Sequence, residues 1–406
     1  MRYYLAMSRL VAWMATLLLA RSLTAQPAPK QADLDKLFAD AEAQHSNAVF
    51  VYQNEQPVRT EFFKAKDQRI SLYSVTKVFS GLAIGIAYDK GLIPSIDEPV
   101  STWFPEMAND LLKSKIKLRH LLQHSSGILT TQGSQDIYPQ HDFVKFALES
   151  PVVSTPGEEV KYNNRAVNIE SGIIRKATGR SMEEWLAENL FKPLGITDYK
   201  FHHDDAGNTW AMDGLELKVS DMVKIACVLA DDGKWQGRQI VSERWLAVAT
   251  QASLISMGTD ANPYGLGLIV HDPPDARLTI PVSTVDALEK AGLSQELVVK
   301  LRTLADREFK GGIKFGQAMK QQFSTTELEA ISAVAGREMI PVYRNLNDRV
   351  IVGHEGEIGE YIVALPAYHI AVARTIDEKR GRAGNFEFHT LFRRVYDLAP
   401  VGGQQP

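Results

Sequence analysis

The sequence predicts an α+β fold in which an antiparallel sheet is built from both ends of the chain, with a helical region inserted between them. Near the start, a helical pattern at 32–43 is followed by two strand-like runs within 48–63. Near the end, two strand-like runs within 350–365 are followed by a helical pattern at 385–398. Hydrophobic spacing between these groups is mainly helical, and the helical part is expected at about 80–200.

The chain has 406 residues, of which 45% are hydrophobic and 23% charged, as is usual for a soluble globular protein. Its net charge is −4 and its basic residues form no long stripe, so nucleic acid is not an expected partner. Cys227 is the only cysteine, which excludes an intrachain disulfide and a multi-cysteine metal site. His202 and His203 precede two aspartates, but neighbouring histidines point apart and no spaced third ligand is evident. We expect neither a metal nor a cofactor.

The first residues predict export. An apolar run at 10–20 is too short to span a bilayer, which takes about 20 residues, but suits a secretory signal. Ala25 is a plausible last residue before cleavage, so 1–25 is the predicted signal peptide. An uncleaved N-terminal anchor is the alternative. Without it, the mature protein has no stable membrane span and is expected in the periplasm or outside the cell.

Beyond the signal, 26–31 is expected to be a linker, 32–400 one domain and 401–406 a disordered tail. Residues 282–337 form a separate helical insertion within that domain. Ser324 opens the last helix of the insertion in a capping-box pattern, and Ser220 is expected to cap an earlier helix.

Ser74 and Lys77 carry the first sign of chemistry. On a helix, residues three apart lie on one face, and this pair heads the apolar run 78–86. A serine becomes a nucleophile when a base takes its proton, and a lysine can be that base when apolar burial disfavours its charged form. The first turn of a helix also offers free N–H groups to an oxyanion. A capping serine beside a surface lysine is the alternative, and Ser114 with Lys117 matches the same spacing in a basic stretch.

Two further motifs follow in the chain. Tyr162-Asn163-Asn164 precedes a helical pattern, and His354-Glu355-Gly356 separates two strand-like runs. In this order, the three motifs resemble those of the class C β-lactamases and penicillin-recognising serine hydrolases, including esterase and D-aminopeptidase relatives. The surrounding stretches that also match are LRHLLQHSSG at 118–127, ATG at 177–179, FKPLGI at 191–196 and YGLG at 264–267.

The resemblance spans roughly 32–398 and is weak across the insertion. It implies an α/β/α sandwich with an antiparallel sheet plus an all-helical subdomain, as in β-lactamases and penicillin-binding transpeptidases. Other stretches also match the second and third motifs, but they lie in the wrong place in the family's order or lack the hairpin that follows its third motif. They are Tyr52-x-Asn54, Tyr343-x-Asn345, Lys310-x-Gly312 and Lys314-x-Gly316.

The resemblance also implies a role for each motif residue. Ser74 would be the acylated nucleophile, Lys77 its activating partner, and Tyr162 a proton relay to the leaving group or the base. Asn164 would hold the substrate amide or the lysine. The substrate-binding positions of the third motif would be His354, Glu355 and Gly356, and the oxyanion hole would consist of the backbone N–H groups of Ser74 and Glu357.

This chain departs from the family at the third motif, where His354 and Glu355 replace a lysine and a threonine that attract a substrate carboxylate. Glu357 and Glu360 follow. Two like charges 4 Å apart repel by about 4 kcal/mol at an effective dielectric of 20. β-Lactams and peptides with a free carboxylate are therefore expected to be poor substrates, and neutral esters or amides bearing a free amine better ones.

The sequence thus predicts an exported serine hydrolase that cleaves a small-molecule ester, amide or peptide through a Ser74 acyl-enzyme, most like an esterase or D-aminopeptidase. A true β-lactamase or a D-Ala-D-Ala carboxypeptidase is the alternative within the family. A catalytically inactive binding protein with the same fold is the alternative from another class. The insertion at 282–337 is expected to form a lid or wall over the cleft, or else to dock a partner.

Overall fold

The structure is a computed structural model, and it describes residues 26–64, 66–131, 133–257, 263–273, 275–346, 349–376 and 388–399. The predicted signal peptide at 1–25 and the predicted tail at 401–406 lie outside the described residues. None of the helices within the described ranges has the length and apolar character needed to cross a membrane.

The helices, in chain order, are α1 (Gln31–Ala43), α2 (Thr76–Asp89), α3 (Leu118–Leu122), α4 (Phe143–Glu149), α5 (Asn164–Thr178), α6 (Met182–Leu186), α7 (Val219–Ala230), α8 (Glu243–Ala249), α9 (Val282–Lys290), α10 (Gln295–Leu304), α11 (Gly312–Gln322), α12 (Thr325–Arg337) and α13 (Phe388–Asp397). The strands are β1 (Ser46–Gln53), β2 (Gln56–Phe62), β3 (Ile70–Ser71), β4 (Lys200–Phe201), β5 (Leu215–Leu217), β6 (Lys234–Trp235), β7 (Arg238–Gln239), β8 (Ile269–His271), β9 (Arg277–Thr279), β10 (Phe309–Lys310), β11 (Arg344–Asn345), β12 (Ile351–Glu355), β13 (Tyr361–Leu365) and β14 (Ile370–Ile376).

A six-stranded sheet unites the two ends of the chain in the order β2-β1-β14-β13-β12-β8. Its neighbouring strands are antiparallel, with Phe50 opposite Ala373 and Val352 opposite Val270. The predicted antiparallel sheet from both termini is therefore confirmed. The edge strand β8 was not predicted from the sequence, since its three residues are too few to show a periodic pattern.

Helices cover both faces of this sheet. Alternate residues of β1 divide between two cores, because successive side chains of a strand point to opposite faces. Val49 and Val51 pack with α1 and α13, whereas Ala48 and Phe50 pack with the larger core that includes α2 and α7. The α/β/α sandwich is confirmed, and the helices from α2 to α6 form the helical part beside it.

The insertion consists of α9 to α12, and a small sheet in the order β10-β9-β11 lies beside it. Ser324 caps α12 with the predicted capping box, since its side chain accepts from the N–H of Glu327 and the Glu327 carboxylate accepts from Ser324. The cap predicted at Ser220 is wrong. Helix α7 begins one residue earlier, and Ser220 donates its hydroxyl hydrogen bond to Asp67 instead.

Candidate active site

Ser74 lies in a short 3-10 turn, Tyr73–Val75, that leads directly into α2. Tyr73 has a φ of 44°, in the left-handed region that bulky residues rarely occupy. Backbone strain of this kind is concentrated at functional sites. Helix α2 is buried from Thr76 to Ala87, so the serine stands at the head of a buried helix.

Close packing fixes the depth of α2. A Cβ on Gly85 would lie 2.6 Å from the Trp245 ring, and one on Gly81 would lie 2.9 Å from the Leu266 carbonyl oxygen. Gly267 has a φ of 72° and a Cβ there would lie 3.1 Å from the Lys77 carbonyl oxygen. The 264–267 stretch therefore packs against the first turns of α2 and brings Tyr264 to the site.

Two functional groups, from Lys77 and Tyr162, meet at the Ser74 hydroxyl. Lys77 Nζ donates to Ser74 Oγ at 3.1 Å and to the Met212 carbonyl oxygen at 2.7 Å. Tyr162 Oη lies 2.6 Å from Ser74 Oγ, and Lys77 Nζ lies 4.9 Å from the centre of the Tyr162 ring. The Lys77 side chain is buried, whereas 40% of Tyr162 is exposed. The structure thus brings the predicted nucleophile together with both of its predicted partners, at a place that is accessible from the protein surface.

The Tyr162 ring is held from behind by His124, whose ring centre lies 4.6 Å away. His124 Nδ1 accepts from the Asn163 N–H at 3.1 Å, which fixes the chain on the C-terminal side of the tyrosine. Asn163 then caps α5, since its side chain accepts from the N–H of Ala166. His124 sits inside the 118–127 stretch, but its spacing alone does not show that it supports the tyrosine.

His354 is a buried, neutral side chain at the end of β12. Its Nδ1 lies 2.6 Å from the Glu355 carbonyl oxygen, which can only accept, so Nδ1 carries the proton. Nε2 therefore accepts from the Tyr264 hydroxyl at 3.2 Å. Burial, reinforced by the nearby charge of Lys77, lowers the pKa of His354 to about 3. At neutral pH the side chain offers no positive charge to a substrate.

Asn164 occupies the first residue of α5, and its side chain makes no hydrogen bond with Lys77 within the described ranges. Its Nδ2 donates to Ser134 Oγ at 2.7 Å, and its Oδ1 is buried without a hydrogen-bond partner in the described part of the chain. An unpaired buried acceptor costs about 1–3 kcal/mol, so this oxygen favours a bound N–H donor. Lys77 bonds to Ser74 and to the Met212 carbonyl oxygen, and the role of Asn164 in holding the substrate amide stays a prediction.

The turn after β12 has no room for a side chain at Gly356. A Cβ on Gly356 would lie 1.5 Å from Glu360 Oε1, because the Glu360 side chain is folded beneath the turn. The Gly356 N–H donates to the Glu360 carbonyl oxygen at 2.7 Å, and Arg374 donates to the Gly359 carbonyl oxygen at 2.9 Å. The Glu357 N–H makes no hydrogen bond within the described ranges, which leaves it available to an oxyanion.

The acidic residues of the third motif have different environments. Glu357 is exposed, and Glu355 is half-buried at the end of β12. Glu360 is fully buried, and burial raises its pKa well above the ordinary range. Burial therefore favours the neutral form of the Glu360 carboxyl, which distinguishes it from the exposed Glu357.

Asp213 adds a carboxyl that the sequence did not reveal. It follows Met212, whose carbonyl oxygen holds Lys77, and it accepts a hydrogen bond from the Tyr138 hydroxyl. Burial raises the pKa of Asp213, Tyr138 and Lys77 oppose the rise, and Glu357 adds to it. Glu357 and Asp213 therefore lie close enough to interact, and both are acidic.

A second buried carboxyl lies beneath Lys77. Ser80 Oγ lies 2.6 Å from a Glu170 carboxyl oxygen of α5 and 3.1 Å from the Lys77 carbonyl oxygen, and its single hydrogen is shared between these two acceptors. Burial raises the pKa of Glu170 to about 7, while Ser80 and Lys77 oppose the rise. No motif signals this residue, because it is one polar position on an otherwise apolar helix face.

The competing matches lie away from this site. Ser114 lies in a short 3-10 helix, Lys113–Lys115. The adjacent histidines His202 and His203 bind different carboxylates, at 3.0 Å and 2.8 Å. A cavity of about 440 Å³ between the sheet and the insertion is lined by Asp272, Tyr343 and Val352, but by none of the predicted site residues.

The buried histidines predict a pH effect on stability. An unfolded histidine binds a proton below about pH 6.5, whereas folded His354 binds one only near pH 3. Between these pH values unfolding takes up a proton, so the free energy of unfolding decreases as the pH is lowered. We expect wild type to lose about 2 kcal/mol more of its unfolding free energy than His354→Asn between pH 6.5 and 5. Urea denaturation at each pH measures this. His141→Asn, at an exposed histidine, is the control, and parallel curves for wild type and His354→Asn would refute the expectation.

Comparison with known proteins agrees with this architecture. The family model described as Beta-lactamase matches residues 34–384. The Monacolin J acid methylbutanoyltransferase of Aspergillus terreus is 30% identical over 162 residues, which cover 33% of this chain and 38% of that protein. The first curated relatives, two β-lactamase-like proteins of Dictyostelium discoideum, are matched over only 27% and 29% of their length.

Two solved structures share the fold. The putative 6-aminohexanoate-dimer hydrolase from Bacillus anthracis superposes with a TM-score of 0.62 at 15% identity, covering 89% of this chain and 81% of that one. The D-stereospecific amidohydrolase from Streptomyces sp. gives a TM-score of 0.54 at 16% identity, covering 88% and 99%. With the family match extending over most of its length, this chain belongs to the Beta-lactamase family.

Proposed function

We propose that this protein is an exported serine hydrolase that cleaves an ester or amide bond through an acyl-enzyme on Ser74. One observation carries the proposal: Ser74 Oγ contacts both Lys77 Nζ at 3.1 Å and Tyr162 Oη at 2.6 Å. A nucleophile bonded to two groups that can move protons is the arrangement that covalent acyl transfer requires. The apolar run at 10–20 supports export.

The chemical steps follow from this geometry. Ser74 Oγ attacks the acyl carbon, and its proton passes to Tyr162 or Lys77. The oxyanion that forms binds the N–H groups of Ser74 and Glu357. Tyr162, which is partly exposed, then gives a proton to the departing alcohol or amine as the bond to it breaks. Water attacks the resulting ester, and the same groups return the proton to Ser74 as the acid leaves.

The electrostatics of the site favour substrates without a carboxylate. The histidine of the third motif is neutral, since burial lowers the pKa of His354 to about 3. The carboxyls of Glu357 and Asp213 lie close enough to interact, and Lys77, one of the cations that act on Asp213, is already bonded to Ser74. A carboxylate would meet repulsion here, whereas a neutral ester or the free amine of an amide substrate would not.

A substrate panel tests this selectivity. We expect kcat/KM for p-nitrophenyl acetate or D-alanine p-nitroanilide to exceed that for nitrocefin, which carries a carboxylate, by at least tenfold. Faster turnover of nitrocefin would support a true β-lactamase and overturn the proposed selectivity. An absence of turnover together with no labelling of Ser74 by a fluorophosphonate would overturn the hydrolase itself and favour a binding protein.

Reversing the charge of Glu357 tests whether electrostatic repulsion causes the proposed discrimination against carboxylate substrates. Glu357→Lys is expected to raise kcat/KM for nitrocefin about thirtyfold, because a repulsion of roughly 1 kcal/mol becomes an attraction of similar size, a change of about 2 kcal/mol in total. The side chain is exposed, so the substitution leaves the core intact. Glu106→Lys makes the same change at an exposed position in a different part of the chain and is the matched control. An equal gain in both variants would show that only net charge matters.

Transfer of the acyl group to an alcohol is a second candidate function. The observation that favours it is the 30% identity with a methylbutanoyltransferase over 33% of this chain. The Ser74 ester would then be attacked by an alcohol instead of water. Adding methanol or a larger alcohol to the p-nitrophenyl acetate assay distinguishes the two, since transfer yields the new ester and hydrolysis yields only acetate.

A further inference from the structure

Besides sharing the larger hydrophobic core, the helical insertion contacts the catalytic part of the chain through the carboxylate of Glu329. Glu329 of α12 accepts from Arg119 Nη2, and its Oε1 lies 3.1 Å from His120 Nε2 and 3.9 Å from Lys117 Nζ. His120 Nδ1 accepts a hydrogen bond from the Lys117 N–H, so its Nε2 carries the hydrogen and donates the hydrogen bond to Glu329. Through this contact the insertion binds the start of α3 and does not reach the Ser74 hydroxyl itself.

The same carboxylate fills a notch beside the turn that precedes the tyrosine motif. Gly157 has a φ of 86°, and a Cβ there would lie 2.6 Å from Glu329 Oε2 and 3.2 Å from His120 Nε2. Glu329 Oε2 is buried without a hydrogen-bond partner in the described part of the chain. The carboxylate therefore packs against the turn while it bonds to α3.

Residues 157–163, which deliver Tyr162, are built on residues 120–126. The Gly157 N–H donates to the Ser125 carbonyl oxygen and the Lys161 N–H to the His124 carbonyl oxygen, both at 2.8 Å. The Asn163 N–H donates to His124 Nδ1 at 3.1 Å. Because His124 also packs on the Tyr162 ring, any shift of this support moves the tyrosine relative to Ser74.

We propose that Glu329 is a positioning residue for Tyr162: from the insertion, it clamps α3 and the Gly157 turn together and thereby sets the contact of Tyr162 with Ser74. This inference rests on the proposed function, in which Tyr162 moves the proton. It also gives the insertion a role in the reaction that differs from a lid over the cleft. Nothing in the 282–337 sequence marks this glutamate among its neighbours.

The charges around Glu329 support a fixed clamp. Burial acts to raise its pKa, but the His120 hydrogen bond and the charge of Arg119 outweigh burial and hold that pKa at about 2. Burial lowers the pKa of His120 to about 4. Asp97 bonds the other side of Arg119 at 2.8 Å, so removing the Glu329 charge leaves the buried guanidinium one partner. The clamp is therefore intact throughout the pH range of an ordinary assay.

A double-mutant cycle tests the proposal. Glu329→Gln is expected to lower kcat for p-nitrophenyl acetate five- to twentyfold and to change KM less than twofold. In a Tyr162→Phe background the same substitution is expected to change kcat less than 1.5-fold, because the group it positions is gone. Glu327→Gln is the matched control on the same helix, since Glu327 pairs with Lys300 inside the insertion. We expect it to leave kcat unchanged.

Two results would overturn the inference: an equal loss of kcat from Glu329→Gln in both backgrounds, or an equal loss from Glu327→Gln. Circular dichroism and thermal melting monitor folding. If Glu329→Gln does not fold, Glu329→Asp, which keeps the charge but shortens its reach, is measured in the same two backgrounds with the same criterion. A normal kcat in Tyr162→Phe alone would instead contradict the proposed function, so the two failures are distinguishable.

Discussion

Ser74→Ala is expected to lower kcat/KM at least about 10⁴-fold for every substrate that the wild-type protein turns over. The substitution removes the atom that forms the acyl-enzyme, while Lys77 and Tyr162 stay in place beside it. What activity is left can come only from the oxyanion donors and from substrate binding. Steady-state kinetics with p-nitrophenyl acetate measure the loss, and mass spectrometry after rapid quenching shows whether the acyl adduct on residue 74 disappears.

Ser114→Ala is the matched control for this experiment. Ser114 has the same spacing to Lys117, but it lies in a short 3-10 helix and its hydroxyl contacts only the Leu111 carbonyl oxygen at 3.4 Å within the described ranges. We expect this variant to keep wild-type kinetics. Full activity in Ser74→Ala, or a loss in Ser114→Ala, would assign the nucleophile to a different residue.

Tyr162→Phe is expected to lower kcat by about 10²- to 10⁴-fold, the range that general acid–base groups contribute. The phenol oxygen lies 2.6 Å from Ser74 Oγ, and its loss removes the phenolic group that contacts Ser74 and would carry the proton to the leaving group. The ring stays, so its packing against His124 is kept and the fold is expected to be unaffected. Rates with esters of different leaving groups measure the effect, which should be largest for the poorest leaving group.

Tyr343→Phe separates this effect from a general loss of a buried tyrosine hydroxyl. Tyr343 also heads a Tyr-x-Asn match, but its hydroxyl accepts from the Ala252 N–H at 2.8 Å beside the insertion. The substitution leaves that N–H unpaired, so we expect a stability loss of about 1–3 kcal/mol and an unchanged kcat. If Tyr162→Phe kept more than a third of the wild-type kcat, Tyr162 would not be the proton relay.

Much of the fold could be predicted from the sequence because its long elements have a clear period. The strand runs within 48–63 and 350–365 and the terminal helix at 32–43 correspond to β1, β2, β12, β13 and α1. The two-residue strands β3, β4, β10 and β11 were not predictable, because two residues cannot show alternation. The error at Ser220 has a similar origin: serine suits both a cap and the first helical turn, and the distant Asp67 decides between them.

The candidate site divides in the same way. The motifs supplied Ser74, Lys77 and Tyr162, and the structure places them in contact. Glu170 and Asp213 carry no motif, since their importance comes from burial next to Lys77 and not from any local pattern. The environment of Glu360 was not predictable for the same reason, because its side chain folds beneath the Gly356 turn and burial raises its pKa.

The sequence by itself predicted the class of chemistry, because the residue types, spacing and order of the three motifs can be read along the chain without its tertiary structure. Only the tertiary structure decided what surrounds that pair. It brings Tyr162 to Ser74 across 88 residues, makes His354 neutral by burial, and places Glu329 of the insertion against His120. The physical reason is that charge and position at a site depend on desolvation and on contacts between distant segments, and neither is written in any one stretch of sequence.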